Sequence, residues 1–254
     1  MNWLGESSGG GVRERRFDLH RDGRVIPGLL WTPDDRPPDE PAALVLIGHG
    51  ASGDKRQDYV LSMARRLVRN HGLAAVAIDG PVHGDRRPRD VSDRGGRQVA
   101  FLDFAQSWSS DPTMTDEMVA DFRATVDAVT GLDEIRAGGI GYWGLSMGTI
   151  LGLPFVAAEP RVKAAVLGLM GATGPTKERI AEDAPRITCP VLFLVQWDDM
   201  LFPTETAFAL FDSIGCADKR LHAAPGPHGA VPEEELAASE AFLARYLAPE
   251  RSGR

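Results

Sequence analysis

Short apolar runs, each about the length of one β-strand, alternate along the chain with segments of helical periodicity. Most of these runs are almost continuously apolar, which is typical of strands buried on both faces of a parallel sheet. Strands are predicted at residues 42–47, 73–78, 139–143, 162–169, 190–195 and 219–224. Helices are predicted at residues 58–70, 115–130, 147–158, 204–214 and 233–247. This alternation predicts an α/β fold with a mostly parallel sheet, right-handed crossovers and helices on both faces.

The first part of the chain follows a different pattern. Residues 12–20 alternate, residues 21–24 form a turn, and residues 25–32 are again extended, which predicts an N-terminal antiparallel hairpin. We expect residues 1–11, which contain Ser-Ser-Gly-Gly-Gly, and residues 249–254 to be poorly ordered.

Residues 82–113 lack a regular pattern and are rich in Arg and Asp, so we predict a long loop that roofs the active site. A short apolar patch within it, including Phe101, Phe104 and Trp108, either lines the pocket or packs the loop onto the body. The chain shows neither an internal repeat nor a second core, and a single domain over residues 1–254 is predicted.

Bulk composition excludes several classes of function. The 254 residues are 43% hydrophobic and 25% charged, and the net charge of −8 argues against a nucleic-acid or anionic membrane surface. No apolar run reaches the roughly 18 residues of a membrane span, and no signal peptide is visible. Cys189 and Cys216 have no motif spacing and are interpreted as buried thiols in a reducing compartment. We expect a cytoplasmic monomer or homodimer.

Gly-Leu-Ser-Met-Gly at residues 144–148 stands between a predicted strand and a predicted helix. A serine at such a turn is lifted above the end of the sheet, and the flanking glycines leave its approach open. The pattern alone arises by chance with a probability of roughly 0.1–0.2 in a glycine-rich chain, so it must be weighed with its surroundings. Ser146 is the candidate nucleophile, and the N–H of Met147 would point to where an oxyanion forms.

Polar side chains suited to acyl transfer follow the predicted strands at the edge where parallel sheets bind ligands. They are His49, Asp79 with His83, Ser146, Asp198 with Asp199, and His228. A serine hydroxyl needs a base, and His228, between the last strand and the last helix, is the best-placed histidine. The acid that orients this base is Asp198 or Asp199.

These residues resemble the α/β-hydrolase superfamily, and most closely its dienelactone-hydrolase-like and compact serine esterase branches. The resemblance spans residues 42–247 and follows the order Ser, Asp, His. It implies a single-domain α/β-hydrolase fold without a large cap domain. It also selects Asp199, which stands four residues before a proline, as the acid. Dienelactone hydrolases proper carry a cysteine where this chain has Ser146.

The resemblance further implies that the backbone N–H groups of Ala51 and Met147 form the oxyanion hole. His49, His83, Trp108 and Trp197 are candidate residues of the pocket or of its support, with loop bracing or packing as the alternative roles. No metal and no cofactor are expected, because no histidine pair has ligand spacing.

The predicted function is a serine hydrolase that cleaves small to medium carboxylic esters through an acyl-enzyme. The same triad also serves thioesterases, lactonases, amidases and acyltransferases. A different class, the catalytically silent binding proteins of this fold, is the remaining alternative.

Overall fold

The computed structural model describes residues 1–35, 37, 40–87 and 96–248. Nine strands form one sheet: β1 (Asn2–Gly9), β2 (Val12–Arg21), β3 (Arg24–Pro33), β4 (Ala42–Gly48), β5 (Ala74–Ile78), β6 (Ile135–Gly144), β7 (Val162–Gly168), β8 (Val191–Gln196) and β9 (Lys219–Ala224). The α-helices are α1 (Asp58–His71), α2 (Gly96–Ser110), α3 (Met114–Thr130), α4 (Met147–Ala158), α5 (Lys177–Asp183), α6 (Thr204–Ser213) and α7 (Glu233–Leu247). Short 3₁₀ turns lie at Gly84–Arg86 and Ala184–Arg186.

The sequence predicts the parallel part of the sheet, from β5 to β9, and the antiparallel hairpin of β2 and β3; the structure adds β1, antiparallel to β2, and pairs β3 antiparallel to β5. The strand order of the sheet is β1-β2-β3-β5-β4-β6-β7-β8-β9. Along β4, Leu44 and Leu46 pack into the core on one face, and Val45 and Ile47 pack into the core on the other. Both faces are therefore covered, which explains why this strand is apolar at every position. No helix in the described part of the chain is long and apolar enough to cross a membrane.

The chain changes direction across the sheet at β4. Strand β5 lies on one side of β4, whereas β6 lies on the other. The last residues of β4 and β6, Gly48 and Gly144, are paired neighbours in the ladder. The loops that follow these two strands therefore start side by side, at the point where open α/β sheets bind ligands.

The prediction that residues 1–11 are poorly ordered is wrong, because they contain β1 and its turn into β2. Gly10 and Gly11 have φ angles of 59° and 80°, and these suit the two-residue turn between adjacent antiparallel strands. All eight residues of β1 are exposed, so apolar alternation gives no signal there. The strand is held by its ladder to β2 and by an edge-to-face contact of Trp3 with Phe17. Residues 249–254 lie outside the described residues.

The prediction of one long loop over residues 82–113 is also wrong in part, because residues 96–110 form α2. Ala100 and Phe104 are buried and Trp108 is half-buried, so one face of α2 packs on the body with a spacing of four residues. This i, i+4, i+8 pattern is the helical signal in an otherwise polar segment. Residues 88–95 lie outside the described part of the chain.

Tyr142 fills a slot beneath α4 that three glycines leave open. A Cβ atom at Gly48, Gly144 or Gly152 would overlap the Tyr142 side chain. The Tyr142 hydroxyl donates a hydrogen bond of 2.6 Å to the carbonyl of Gly148. The first turn of α4 is thereby held directly against the ends of β4 and β6.

We predict that Gly152→Ala destabilises the protein by about 1–3 kcal/mol, because the new methyl group overpacks the slot that Tyr142 occupies. An exposed Gly→Ala change inside a helix normally stabilises, so the sign of the effect is diagnostic. Urea unfolding followed by tryptophan fluorescence measures it. Gly138→Ala is the matched control, since a Cβ there meets no atom within 4 Å. Equal stability of the two variants would contradict the conclusion that Tyr142 fills the space next to Gly152.

Candidate active site

Ser146 lies at a sharp turn between β6 and α4. Its φ and ψ angles are 58° and −120°, a conformation that costs a non-glycine residue about 1–3 kcal/mol. The surrounding backbone holds it there: the Ser146 N–H donates to the carbonyl of Gly168 at 3.0 Å. The Thr149 hydroxyl lies 2.8 Å from the carbonyl oxygen of Gly144 and accepts a hydrogen bond of 2.8 Å from the Gly168 N–H. The serine hydroxyl is thus presented at the top of the sheet.

His228 lies between Ser146 and Asp199. Its Nε2 atom is 2.8 Å from Ser146 Oγ, and its Nδ1 atom is 2.7 Å from Asp199 Oδ2. An ionised carboxylate only accepts hydrogen bonds, so the imidazole carries its hydrogen on Nδ1. Nε2 is then free to accept the serine proton, which is the arrangement that activates a serine nucleophile.

The two neighbouring acids have different partners. Asp199 Oδ1 accepts hydrogen bonds from the N–H groups of Leu201 at 2.8 Å and Phe202 at 3.0 Å, which aim its other oxygen at the histidine. Asp198 instead accepts a hydrogen bond of 3.0 Å from the N–H of Gly226. Asp199 therefore contacts His228, whereas Asp198 stabilises the loop that precedes His228.

Two backbone N–H groups flank the serine. Ala51 follows β4 and lines the cavity beside Ser146, while Met147 is the first residue of α4. Neither N–H group donates a hydrogen bond to another described residue. Because β4 and β6 end side by side, both residues of the predicted oxyanion hole lie at the same end of the sheet as Ser146.

A cavity of about 310 Å³ opens at Ser146 and His228. Its wall is mainly apolar and is formed by Tyr59, Phe101, Trp143, Leu145, Leu169, Leu201, Val231 and Leu236. No Asp, Glu, Lys or Arg side chain of the described residues lines it. The described residues also contain no group of three or more His, Cys, Asp or Glu side chains that could hold a metal ion.

The four other predicted site residues do not line this cavity. Trp108 stacks on Phe104 and donates a hydrogen bond of 3.0 Å to Thr176, so it packs α2 onto the body. Trp197 is 51% exposed. His49 and His83 are buried behind the cavity wall. Of the apolar patch on α2, Phe101 reaches the cavity, whereas Phe104 lies in the core.

Sequence reasoning missed most of the cavity wall. Tyr59 comes from the start of α1, Leu169 directly follows β7 and Leu236 comes from α7, and these residues have no common spacing. Leu145 and Leu201 could have been predicted in part from the sequence, because each lies within two residues of a predicted catalytic residue.

Comparison with known protein families assigns the chain. The model described as "Dienelactone hydrolase family" matches residues 26–222. The chain belongs to the dienelactone hydrolase family. Comparison with curated proteins gives no match.

Solved structures share the fold of this chain. A cold-adapted esterase from an Arctic intertidal metagenomic library is 38% identical, with 97% of this chain and 100% of that chain covered and a TM-score of 0.84. The acetyl xylan esterase from Paenibacillus sp. R4 is 22% identical, with 97% and 88% of the two chains covered and a TM-score of 0.74. The dienelactone hydrolase from Anabaena variabilis is 17% identical, with 93% and 97% covered and a TM-score of 0.67. The acetyl xylan esterase and the dienelactone hydrolase, at this low identity, show only that the fold is shared.

A buried ion pair joins the loops that follow β4 and β5. The Lys55 ammonium and the Asp79 carboxylate are both fully buried and lie 2.5 Å apart. Lys55 Nζ also contacts Asp85 at 2.8 Å. Burial by itself would raise the pKa of Asp85, but Lys55 and Arg56 outweigh it and lower that pKa to about 2. Lys55 therefore compensates charge at two acids.

We predict that Lys55→Met destabilises the protein by about 3–5 kcal/mol at pH 7, because it leaves the buried Asp79 carboxylate without its counter-ion. Equilibrium unfolding in urea measures the loss. Lys177→Met is the control, since that side chain is 60% exposed. A loss below 1 kcal/mol, equal to that of the control, would show that Asp79 does not depend on this cation.

Proposed function

We propose that the protein is a serine hydrolase that cleaves uncharged carboxylic esters of small to medium size through an acyl-enzyme. The observation that carries the proposal is the 2.8 Å contact between Ser146 Oγ and His228 Nε2, at the mouth of an apolar cavity. Membership of the dienelactone hydrolase family and the 38% identical esterase support a hydrolase acting on ester bonds. Cytoplasmic location and a monomeric or homodimeric state stay predictions from the sequence.

In the first step, Ser146 Oγ attacks the ester carbonyl carbon while His228 Nε2 accepts the hydroxyl proton. The carbonyl oxygen becomes an oxyanion, which accepts hydrogen bonds from the N–H groups of Ala51 and Met147. Asp199 stabilises the imidazolium and holds its tautomer. The carbon–oxygen bond to the alcohol then breaks, and the alcohol leaves with the proton from His228.

In the second step, water replaces the alcohol. His228 removes a proton from the water, the resulting hydroxide attacks the acyl-Ser146 carbonyl, and the same N–H groups stabilise the second oxyanion. Collapse of this intermediate releases the carboxylic acid and returns the proton to Ser146 Oγ.

The cavity wall supports the choice of substrate. Its volume of about 310 Å³ is at the lower end of the range for small-molecule sites. An anionic acyl group would lose its hydration there without gaining a cationic partner, which costs several kcal/mol. Neutral acyl groups instead gain from contact with leucine and aromatic side chains.

We predict that Ser146→Ala lowers kcat on activated acyl esters about 10⁴- to 10⁶-fold, because the members of such a triad act as a unit. A fluorophosphonate probe should label the wild type and leave this variant unmodified. A variant that keeps the wild-type rate would overturn the proposed function.

The neighbouring acids provide an internal comparison. We predict that Asp199→Asn lowers kcat about 10³- to 10⁴-fold, because the amide imposes the wrong imidazole tautomer. Asp198→Asn should stay within about threefold, since its amide oxygen still accepts from Gly226. Initial rates at saturating ester measure both. Equal losses would contradict the assignment of Asp199.

We predict that the enzyme discriminates against charge on the acyl group. The ratio kcat/KM for a p-nitrophenyl butanoate should exceed that for the anionic hemisuccinate at least about 100-fold, because the cavity offers the carboxylate no partner. Leu236→Lys should narrow the difference by supplying a cation at the cavity wall. Similar values for the two esters in the wild type would contradict an apolar substrate site. Thioester and lactone substrates of matched acyl size complete the series.

A further inference from the structure

Two buried histidines lie behind the catalytic residues and form no hydrogen bond with any of them. The His49 and His83 side chains are 2% and 0% exposed, and their rings are 5.0 Å apart at an angle of 69°. Buried ring nitrogens need hydrogen-bond partners, so the partners indicate what these side chains do. In both cases a partner is the carbonyl of one of the two peptide groups that flank the Ala51 Cα atom, that of Gly50 for His49 and that of Ala51 for His83.

The hydrogen on His49 is assigned by its neighbours. Its Nε2 atom accepts a hydrogen bond of 2.8 Å from the N–H of Gly80, so Nδ1 must carry the ring hydrogen. Nδ1 lies 2.9 Å from the carbonyl oxygen of Gly50 and donates to it. Burial, reinforced by the nearby His83, lowers the pKa of His49 to about 3, so the ring stays neutral and keeps this tautomer near pH 7.

His83 faces two carbonyl oxygens. Nε2 lies 2.8 Å from the oxygen of Ala51, and Nδ1 lies 2.5 Å from the oxygen of Pro81. Burial lowers the pKa of His83, so near neutral pH its ring has one N–H to donate. The contact with Ala51 is buried, whereas the contact with Pro81 is partly open to water. We assign the hydrogen to Nε2, because the buried Ala51 carbonyl has no water to replace this donor, whereas the Pro81 carbonyl can accept a hydrogen bond from water.

Together these contacts fix the two peptide planes that flank Ala51. His49 holds the carbonyl of the Gly50–Ala51 peptide, and His83 holds the carbonyl of the next one. In a trans peptide the N–H points opposite to its carbonyl, so holding the Gly50 oxygen sets the direction of the Ala51 N–H. The N–H of Gly50 is fixed as well, by a hydrogen bond of 2.5 Å to the Tyr59 hydroxyl.

We propose that His49 and His83 are positioning residues that aim the Ala51 N–H at the oxyanion, each by donating a ring N–H to a carbonyl beside Ala51. The inference rests on the proposed function, because it takes Ala51 as an oxyanion donor. It extends that function to two side chains that touch neither substrate nor nucleophile.

Substitution by Asn or Gln distinguishes the role of Nδ1 from that of Nε2. The amide of Asn places its donor near the position of Nδ1, and the longer Gln places it near Nε2. His49→Asn and His83→Gln should therefore keep the contacts with Gly50 and Ala51. His49→Gln and His83→Asn should lose them. A role in filling space does not predict this crossed preference, in which the better replacement is Asn at one position and Gln at the other.

The measurement is kcat and KM per active site, with the sites counted by fluorophosphonate titration so that misfolded protein does not contribute. We expect His49→Asn and His83→Gln to stay within about threefold of wild-type kcat. His49→Gln and His83→Asn should lose about 10- to 100-fold with little change in KM, a fraction of the 10²–10³ lost when an oxyanion donor is removed. His222→Asn is the control and should match wild type, because His222 does not line the cavity and its Nδ1 atom contacts Glu235 instead.

A trifluoromethyl ketone provides a second readout. Ser146 Oγ adds to its carbonyl carbon, and the oxyanion of the resulting hemiketal occupies the oxyanion hole. Its inhibition constant should rise in parallel with the loss of kcat/KM, as expected of a transition-state analogue. The positioning role would be overturned if Asn and Gln at the same position lowered kcat equally. It would also be overturned if the loss of kcat disappeared once the rate was divided by the number of titrated active sites. Failure of the proposed function is distinguishable, because the wild type itself would then resist the phosphonate and Ser146→Ala would remain active.

Discussion

The site depends on one close approach of backbone to backbone. The first turn of α4 lies against the ends of β4 and β6, where a Cβ at Gly148 would come within 2.5 Å of the carbonyl oxygen of Gly48. Tyr142 occupies the remaining space and bonds to the same turn. With the helix held at this distance, the chain can pass from strand to helix only through a tight turn, and Ser146 takes the strained position in it. The position of Ser146 at the end of the sheet is thus a consequence of the packing beneath it.

The other polar groups of the site are also oriented mainly by backbone partners. Two N–H groups hold one oxygen of Asp199, and the Gly226 N–H holds Asp198. Such bonds need little rearrangement when charge develops, which is the condition for effective electrostatic stabilisation of a transition state. The apolar wall has a complementary role, because surroundings of low polarity strengthen each of these interactions. Fixed hydrogen-bond donors and an apolar cavity wall therefore act together.

Much of this arrangement could be predicted from the sequence, and the reasons differ from part to part. Strands such as β4 are buried on both faces, so their apolar runs are continuous, and the residues that follow them must meet at one edge of the sheet. Ser146 and Asp199 follow such strands, and His228 follows the edge strand β9, which is only partly buried; the three residues come together at that edge of the sheet. Strand β1 is exposed along its length and is held by backbone bonds, which leave no trace in side-chain pattern. The hydrogen-bond partners of His49 and His83 are backbone groups, which do not depend on residue type, so no residue type could indicate them.

The buried ion pair of Lys55 and Asp79 contributes more to the relative position of two loops than to the free energy of folding. Replacing a buried ion pair with apolar residues of similar volume is often neutral or stabilising, so the pair is weak evidence for a gain in folding energy. Its value lies in its connections: Asp79 also accepts hydrogen bonds from the backbone N–H groups of Lys55 at 3.2 Å and Asp85 at 2.8 Å. Gly84, at a φ of 49°, has no Cβ, and one there would overlap this carboxylate. An apolar pair would fill the same volume without fixing the two loops in one register. Because those loops carry His49 and His83, the register determines where the Ala51 N–H points.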